Sequence, residues 1–108
     1  MSSDYLSAEE TNLIAQCLWA AANGPFFPDW EFHSLIGLER SEVLEVSQEW
    51  PSTSDANRQE LAVDNVLNNL LGYPVDMKEW PAYISYSRDQ VASAFSHWRE
   101  GAEPSLGT

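Results

Sequence analysis

Positive charge is scarce in this chain. Five lysines and arginines stand against seventeen aspartates and glutamates, a formal net charge of −12 at pH 7, and no basic side chain precedes Arg40. A field of that sign repels phosphate backbones and anionic lipid headgroups, so the sequence argues against direct nucleic-acid binding and against membrane docking. Cysteine is scarcer still: Cys17 stands alone, so no intrachain disulfide can form. The N-terminus offers Asp4, Glu9 and Glu10 where a signal peptide would carry positive charge. No apolar run approaches the roughly 20 residues a bilayer span needs. These absences point to a cytoplasmic protein.

Missing motifs exclude more. There is no His-Glu-x-x-His, no paired Cys-x-x-Cys, no Gly-x-Ser-x-Gly elbow, no Walker A loop and no Gly-x-Gly-x-x-Gly. No catalytic residue, metal or cofactor is therefore assigned. Asp29 and His33 are four apart with Glu31 between them, a spacing that can share a helix face, but zinc asks for three or four oriented ligands. A small metal-dependent or acid–base enzyme built on Asp29, Glu31 and His33 is the alternative this leaves open. His97 follows Ser96, yet adjacent helical residues do not face each other, and both histidines read as structural.

What is present is apolar and aromatic. Hydrophobic residues make up 44% of the 108, including five tryptophans. That length fits one domain. A chain of this size hides roughly two thirds of its surface on folding, enough for a core without disulfides or a structural metal. The expectation is one helical domain over 1–108, with an ordered core from about 5 to 100 and a frayed tail over 101–108.

Apolar spacing predicts helices throughout. Ser7 and Glu10 form a capping box, after which Leu13, Ile14, Cys17, Leu18 and Ala21 recur at helical intervals until Gly24-Pro25 stops the helix near Asn23. Cys17 lies on that stripe and reads as core. The linker Gly24 to Trp30 is stiff and aromatic; Phe26, Phe27 and Trp30 are expected to tuck between helices, with a preorganised partner anchor as the functional alternative. Asp29 reads as the N-cap of a short helix carrying Phe32, Leu35 and Ile36, ended by Gly37. A third helix spans Arg40 to Glu49. Val43, Val46 and Trp50 mark its apolar flank, and Glu42, Glu45 and Glu49 share a neighbouring one.

Pro51 ends that helix, and a fourth covers Asp55 to Leu71. Val63, Val66, Leu67, Leu70 and Leu71 line its inner side, Asp64, Asn65, Asn68 and Asn69 its outer side, and Gly72 is its expected C-cap. Asp76 to Trp80 can make one turn before Pro81, and 82–86 reads as loop. Ser87 with Gln90 opens a final helix through Val91, Ala94, Phe95 and Trp98, stopped by Gly101. The fold expected is all-α: a compact bundle of four longer helices plus one or two short ones. The scattered bases read as ion-pair partners for the surplus acids.

Three stretches carry a resemblance: Phe26-Phe27-Pro28-Asp29-Trp30-Glu31-Phe32-His33 within Gly24 to Leu38, Arg40 to Trp50-Pro51, and Asn68 to Pro74. Together they resemble a group of small, acidic, uncharacterised bacterial proteins over about half of the chain. In size and charge the chain is also similar to immunity proteins of bacterial toxin systems. That resemblance implies an acidic inhibitor that binds a basic protein partner such as a toxin domain. It assigns no residue. The residues themselves suggest a partner surface of Glu42, Glu45 and Glu49 with Asp29 and Glu31, anchored by Trp30 or Trp50. A structural or regulatory subunit, a homodimer that buries spare aromatics, is the remaining alternative, so the chain is expected as a monomer or a homodimer.

Overall fold

The computed structural model describes residues 5–102, and every regular element among them is helical. In chain order these are α1 (Ala8–Asn23), α2 (Asp29–Ile36), α3 (Arg40–Glu49), α4 (Ala56–Gly72), α5 (Trp80–Tyr83) and α6 (Arg88–Ala102). The α1, α3, α4 and α6 helices are the longer four, α2 and α5 the short two, as periodicity predicts.

The helix starts follow from local chemistry. The Ser7 hydroxyl accepts from the Glu10 N–H while the Glu10 carboxylate accepts from the Ser7 N–H. Ser87 and Gln90 make the same reciprocal pair before α6. Glu39 and Glu42 form a third such box at α3. Asp55 caps α4 through the Arg58 N–H. Each cap satisfies backbone donors that have no intrahelical acceptor, worth about 1 kcal/mol apiece.

The α1 and α4 helices form the centre. The first packs against α3, α4, α5 and α6, and the second also against α2, α3 and α6. Ile14, Cys17, Leu18, Val63, Val66, Leu67 and Leu70 are fully enclosed in one apolar cluster. Cys17 is core, and burial pushes its thiol well above the usual range. Three indoles complete the packing. Trp50 donates its Nε1–H to the Thr11 carbonyl, Trp80 to the Tyr86 carbonyl and Trp98 to Asp64 Oδ1. Each buries a large apolar area without stranding its N–H.

Several local expectations are corrected. Asp29 is the first residue of α2, not its cap, and Pro28 precedes the helix with no side-chain capping bond. Gly72 is the last residue of α4, and Tyr73 takes the capping position. Asn65 and Asn69 do not face solvent. Their amides donate to the Ile36 and Leu35 carbonyls at 2.8 and 3.0 Å, satisfying the exposed end of α2. Pro81 does not end a helix; it sits in the first turn of α5, where a missing N–H costs nothing, and that helix takes in Ala82 and Tyr83 from the stretch read as loop. Gly101 does not stop α6, which runs on to Ala102. The tail expected beyond it, 103–108, lies outside the described residues.

Gly101 has a steric reason instead. A Cβ there would stand 2.1 Å from the Tyr5 ring, and Tyr5 donates its hydroxyl to the Trp98 carbonyl at 2.8 Å. Gly101→Ala is therefore expected to destabilise the fold by about 1–3 kcal/mol through overpacking. The same change in a Tyr5→Ala background should stabilise it, by up to about 1 kcal/mol of helix propensity. Thermal unfolding of the four proteins checks this sign reversal.

Candidate functional site

The short helix α2 concentrates the chemistry that the sequence singles out. Eight residues are too few for a helix to persist alone; packing and polar ties must hold it. Phe32 and Ile36 are buried beneath it, and Gly37 closes it in the left-handed conformation at φ 83°.

Arg40 supplies the main tie. Its guanidinium donates to the Ala21 carbonyl at 3.1 Å, to the Phe27 carbonyl at 2.8 Å and to Asp29 Oδ1 at 2.8 Å. It also lies 4.4 Å over the Phe32 ring. One planar fork thus satisfies the end of α1, fixes the linker and meets the first turn of α2, a geometry lysine cannot reproduce. The carbonyl bonds carry most of this. The Asp29 side chain remains 94% exposed, and exposed ion pairs contribute about 0–1 kcal/mol.

Two further ties follow. The Tyr73 hydroxyl donates to Glu31 Oε1 at 2.5 Å, which together with partial desolvation raises the tyrosine pKa above its ordinary value. His33 Nδ1 lies 2.5 Å from Glu39 Oε2, with both side chains more than half exposed. The residues of the metal or acid–base alternative therefore have separate partners: Asp29 with Arg40, Glu31 with Tyr73, His33 with Glu39. Among the described residues, no three His, Cys, Asp or Glu side chains gather as a group that could hold a metal ion.

The structure separates the two tryptophans offered as candidate anchors. Phe26 and Phe27 are buried as expected, but Trp30 does not tuck between helices: it is 81% exposed. Trp50, expected as a possible anchor, is only 8% exposed and packs against Trp98 with ring centroids 5.8 Å apart. Helical phase explains the exposure of Trp30. Phe32 and Ile36 set the inner side of α2, which leaves Trp30 and His33 outside. Sequence spacing held this signal, because Trp30 is out of phase with that pair, but a run of neighbouring aromatics obscured it.

The acidic flank of α3 is engaged locally. Glu42 completes its capping box, Glu45 Oε1 accepts from Arg58 at 2.9 Å, and Glu49 accepts from the Ser54 hydroxyl at 3.0 Å. Arg58 and Arg40 thus pair with acids as expected. Among the described residues Arg88 does not: it donates to the Leu71 carbonyl, capping α4, and its guanidinium lies 6.0 Å from the Trp80 ring.

A pair that sequence reasoning missed joins the two ends of the chain. His97 Nδ1 lies 2.9 and 2.8 Å from the two carboxylate oxygens of Glu10. The Tyr5 ring meets the His97 ring edge-on at 5.4 Å. Eighty-seven positions separate Glu10 from His97, so no local pattern signals the contact. Tyr5 itself is pushed up to about 12 by burial, reinforced by Asp64, Glu10 and Glu60.

No protein-family model, no curated protein and no solved structure matches the chain. Among the described residues no helix is long and apolar enough to cross a membrane.

Burial opposes ionisation of Glu10, but the Ser7 N–H, the His97 ring and the Ser7 hydroxyl outweigh it and hold the carboxyl below its ordinary value. A pKa lower in the folded than in the unfolded state means that the unfolded chain binds more protons. The resulting stability is fully present above the unfolded value near 4.5 and is lost as pH falls through the folded one. Glu10→Gln keeps a capping acceptor but cannot ionise. It should be less stable than wild type at neutral pH, and the difference should shrink below pH 4.5. Urea midpoints measured from neutral to acid pH check this.

Proposed function

We propose that this protein is an acidic binding module that engages a basic protein surface, acting as an immunity-type inhibitor of a partner such as a toxin domain. The observation that carries the reading is Trp30: a tryptophan 81% exposed on a helix held from several sides. Large exposed aromatics on ordered elements are the usual anchors of protein interfaces, because they bury much area at little entropic cost. Asp29 and Glu31 are its chain neighbours, and Glu39 bonds His33 one turn along the same helix, so a positive complementary surface fits this reading.

The net charge of −12 supports the same choice of partner. Such a field speeds encounter with a cationic protein and disfavours acidic competitors. Within this reading α2 makes the contact. Glu42, Glu45 and Glu49 of α3 contribute to the field, since each already has a bond within the chain. Trp50 contributes from the core, by holding α3 in place.

The test is affinity capture from the source cell with wild-type and Trp30→Ala baits, followed by binding kinetics with the captured protein. A basic protein should be retained by wild type, and Trp30→Ala should raise its dissociation rate by about 30-fold or more, the scale of a central hot spot. Converting Glu42, Glu45 and Glu49 together to glutamine should slow association at low salt and leave dissociation nearly unchanged. A partner that is acidic, or one indifferent to Trp30→Ala, contradicts the proposal.

A further inference from the structure

Charge is missing from one face of the molecule. Residues 11–28 contain no charged side chain, and neither do residues 80–87. The fold brings these two stretches together. Helix α5 packs on α1, the Asn12 amide donates to the Tyr86 hydroxyl at 3.0 Å, and Gln16 Oε1 accepts from the Ser85 N–H at 2.8 Å. Asn12, Gln16, Trp19 and Asn23 follow one another at steps of four, three and four residues, so they share the side of α1 that faces away from the core.

Trp19 is the apolar feature of that side. It is 49% exposed although α1 lies at the centre of the fold. Its ring lies 6.1 Å from that of Tyr83, and Tyr83 meets the buried Phe26 ring edge-on at 5.6 Å. An aromatic braced in this way loses little freedom on contact. Indole, phenol and amide groups without charge are also what the centre of a protein interface is made of, whereas lysine, aspartate and glutamate are depleted there.

Charge decides what can cover the face. A cationic partner finds no carboxylate in these two stretches to pair with. Two copies of a chain at −12 repel wherever their carboxylates are juxtaposed, and here they can touch without that cost. The amides and hydroxyls supply both donors and acceptors, so the face can bond to itself.

We propose that the protein self-associates through this face as a two-fold symmetric dimer, with Trp19 of each copy packed against the Trp19–Tyr83 pair of the other. A two-fold interface uses one patch twice, and every contact is made reciprocally. From Asn12 to Asn23 α1 spans about 16 Å, and two helices side by side about 20 Å. That is less than the roughly 800 Å² per partner of a standard interface, so the dimer is weak and reversible. The contact takes in no residue of α2 and does not depend on the function proposed for Trp30.

Sedimentation equilibrium of the full chain, from micromolar to millimolar concentration at low and high salt, tests this. A monomer–dimer equilibrium is expected that tightens as salt rises, because screening weakens the repulsion between the two copies. Gln16→Glu keeps the acceptor for Ser85 but adds a negative charge to each side of the contact; it should weaken the dimer about ten-fold, most strongly at low salt. Trp19→Ala should weaken it by about ten-fold or more. Both positions lie at the surface, and thermal unfolding of the variants confirms that they fold. Trp30→Ala should leave the dimer constant unchanged. A chain that stays monomeric at millimolar concentration and high salt overturns the proposal, as does a dimer indifferent to Gln16→Glu and Trp19→Ala, or one abolished by Trp30→Ala instead.

Discussion

The placement of the Arg40 guanidinium is the constraint on which the functional face depends. Helix α1 ends at Asn23 and α2 begins at Asp29, with an aromatic linker between them. The carbonyls at the end of α1 and along that linker need donors, and no backbone N–H is positioned to reach them all. Arg40 reaches back from the first turn of α3 and bonds to Ala21, Phe27 and Asp29 while stacking on Phe32. Hydrogen bonds from a charged donor contribute about 1.5–3 kcal/mol each, more than neutral ones. One side chain thereby converts a short, marginal helix into a fixed platform. Asn65 and Asn69 complete the work at the opposite end of α2.

That arrangement recasts the acidity of the chain. Many of its carboxylates perform local duties: Glu10, Glu39 and Glu42 cap helices, Asp64 receives an indole N–H, and Glu31 receives a phenol. Their charges remain, so the field persists. Specific contact, however, requires groups that project from the body. Trp30 does so on α2. The surplus of acids favours the approach of positively charged chemistry.

The legibility of the sequence follows the range of each interaction. Capping boxes and apolar stripes act over three to seven positions, and the start of α1 was readable from them. Glycine and proline punctuation placed the ends of α1, α2 and α3 at Gly24-Pro25, Gly37 and Pro51, yet Gly72, Gly101 and Pro81, read the same way, lie inside helices. At Gly101 the deciding neighbour is Tyr5, at the far end of the chain. Asn65 and Asn69 read as the outer, polar side of α4, whereas their amides meet the carbonyls at the end of α2. The tryptophans show the limit most clearly. Composition marked them as important; helical phase held the distinction between Trp50, on the apolar flank of α3, and Trp30, out of phase with Phe32 and Ile36, but the run of aromatics around Trp30 hid it. The Glu10–His97 bond was invisible because its partners lie eighty-seven positions apart.

Native-state hydrogen exchange on Arg40→Met tests the central claim most directly. Methionine retains much of the aliphatic bulk but loses the guanidinium. The account predicts that the hydrogen-bonded amides of residues 33–37 lose protection selectively, opening by a local route, while those in the middle of α1 and α4 still exchange through global unfolding. Protection in α2 that falls only in step with α1 and α4, or does not fall at all, would contradict the claim that Arg40 holds the platform.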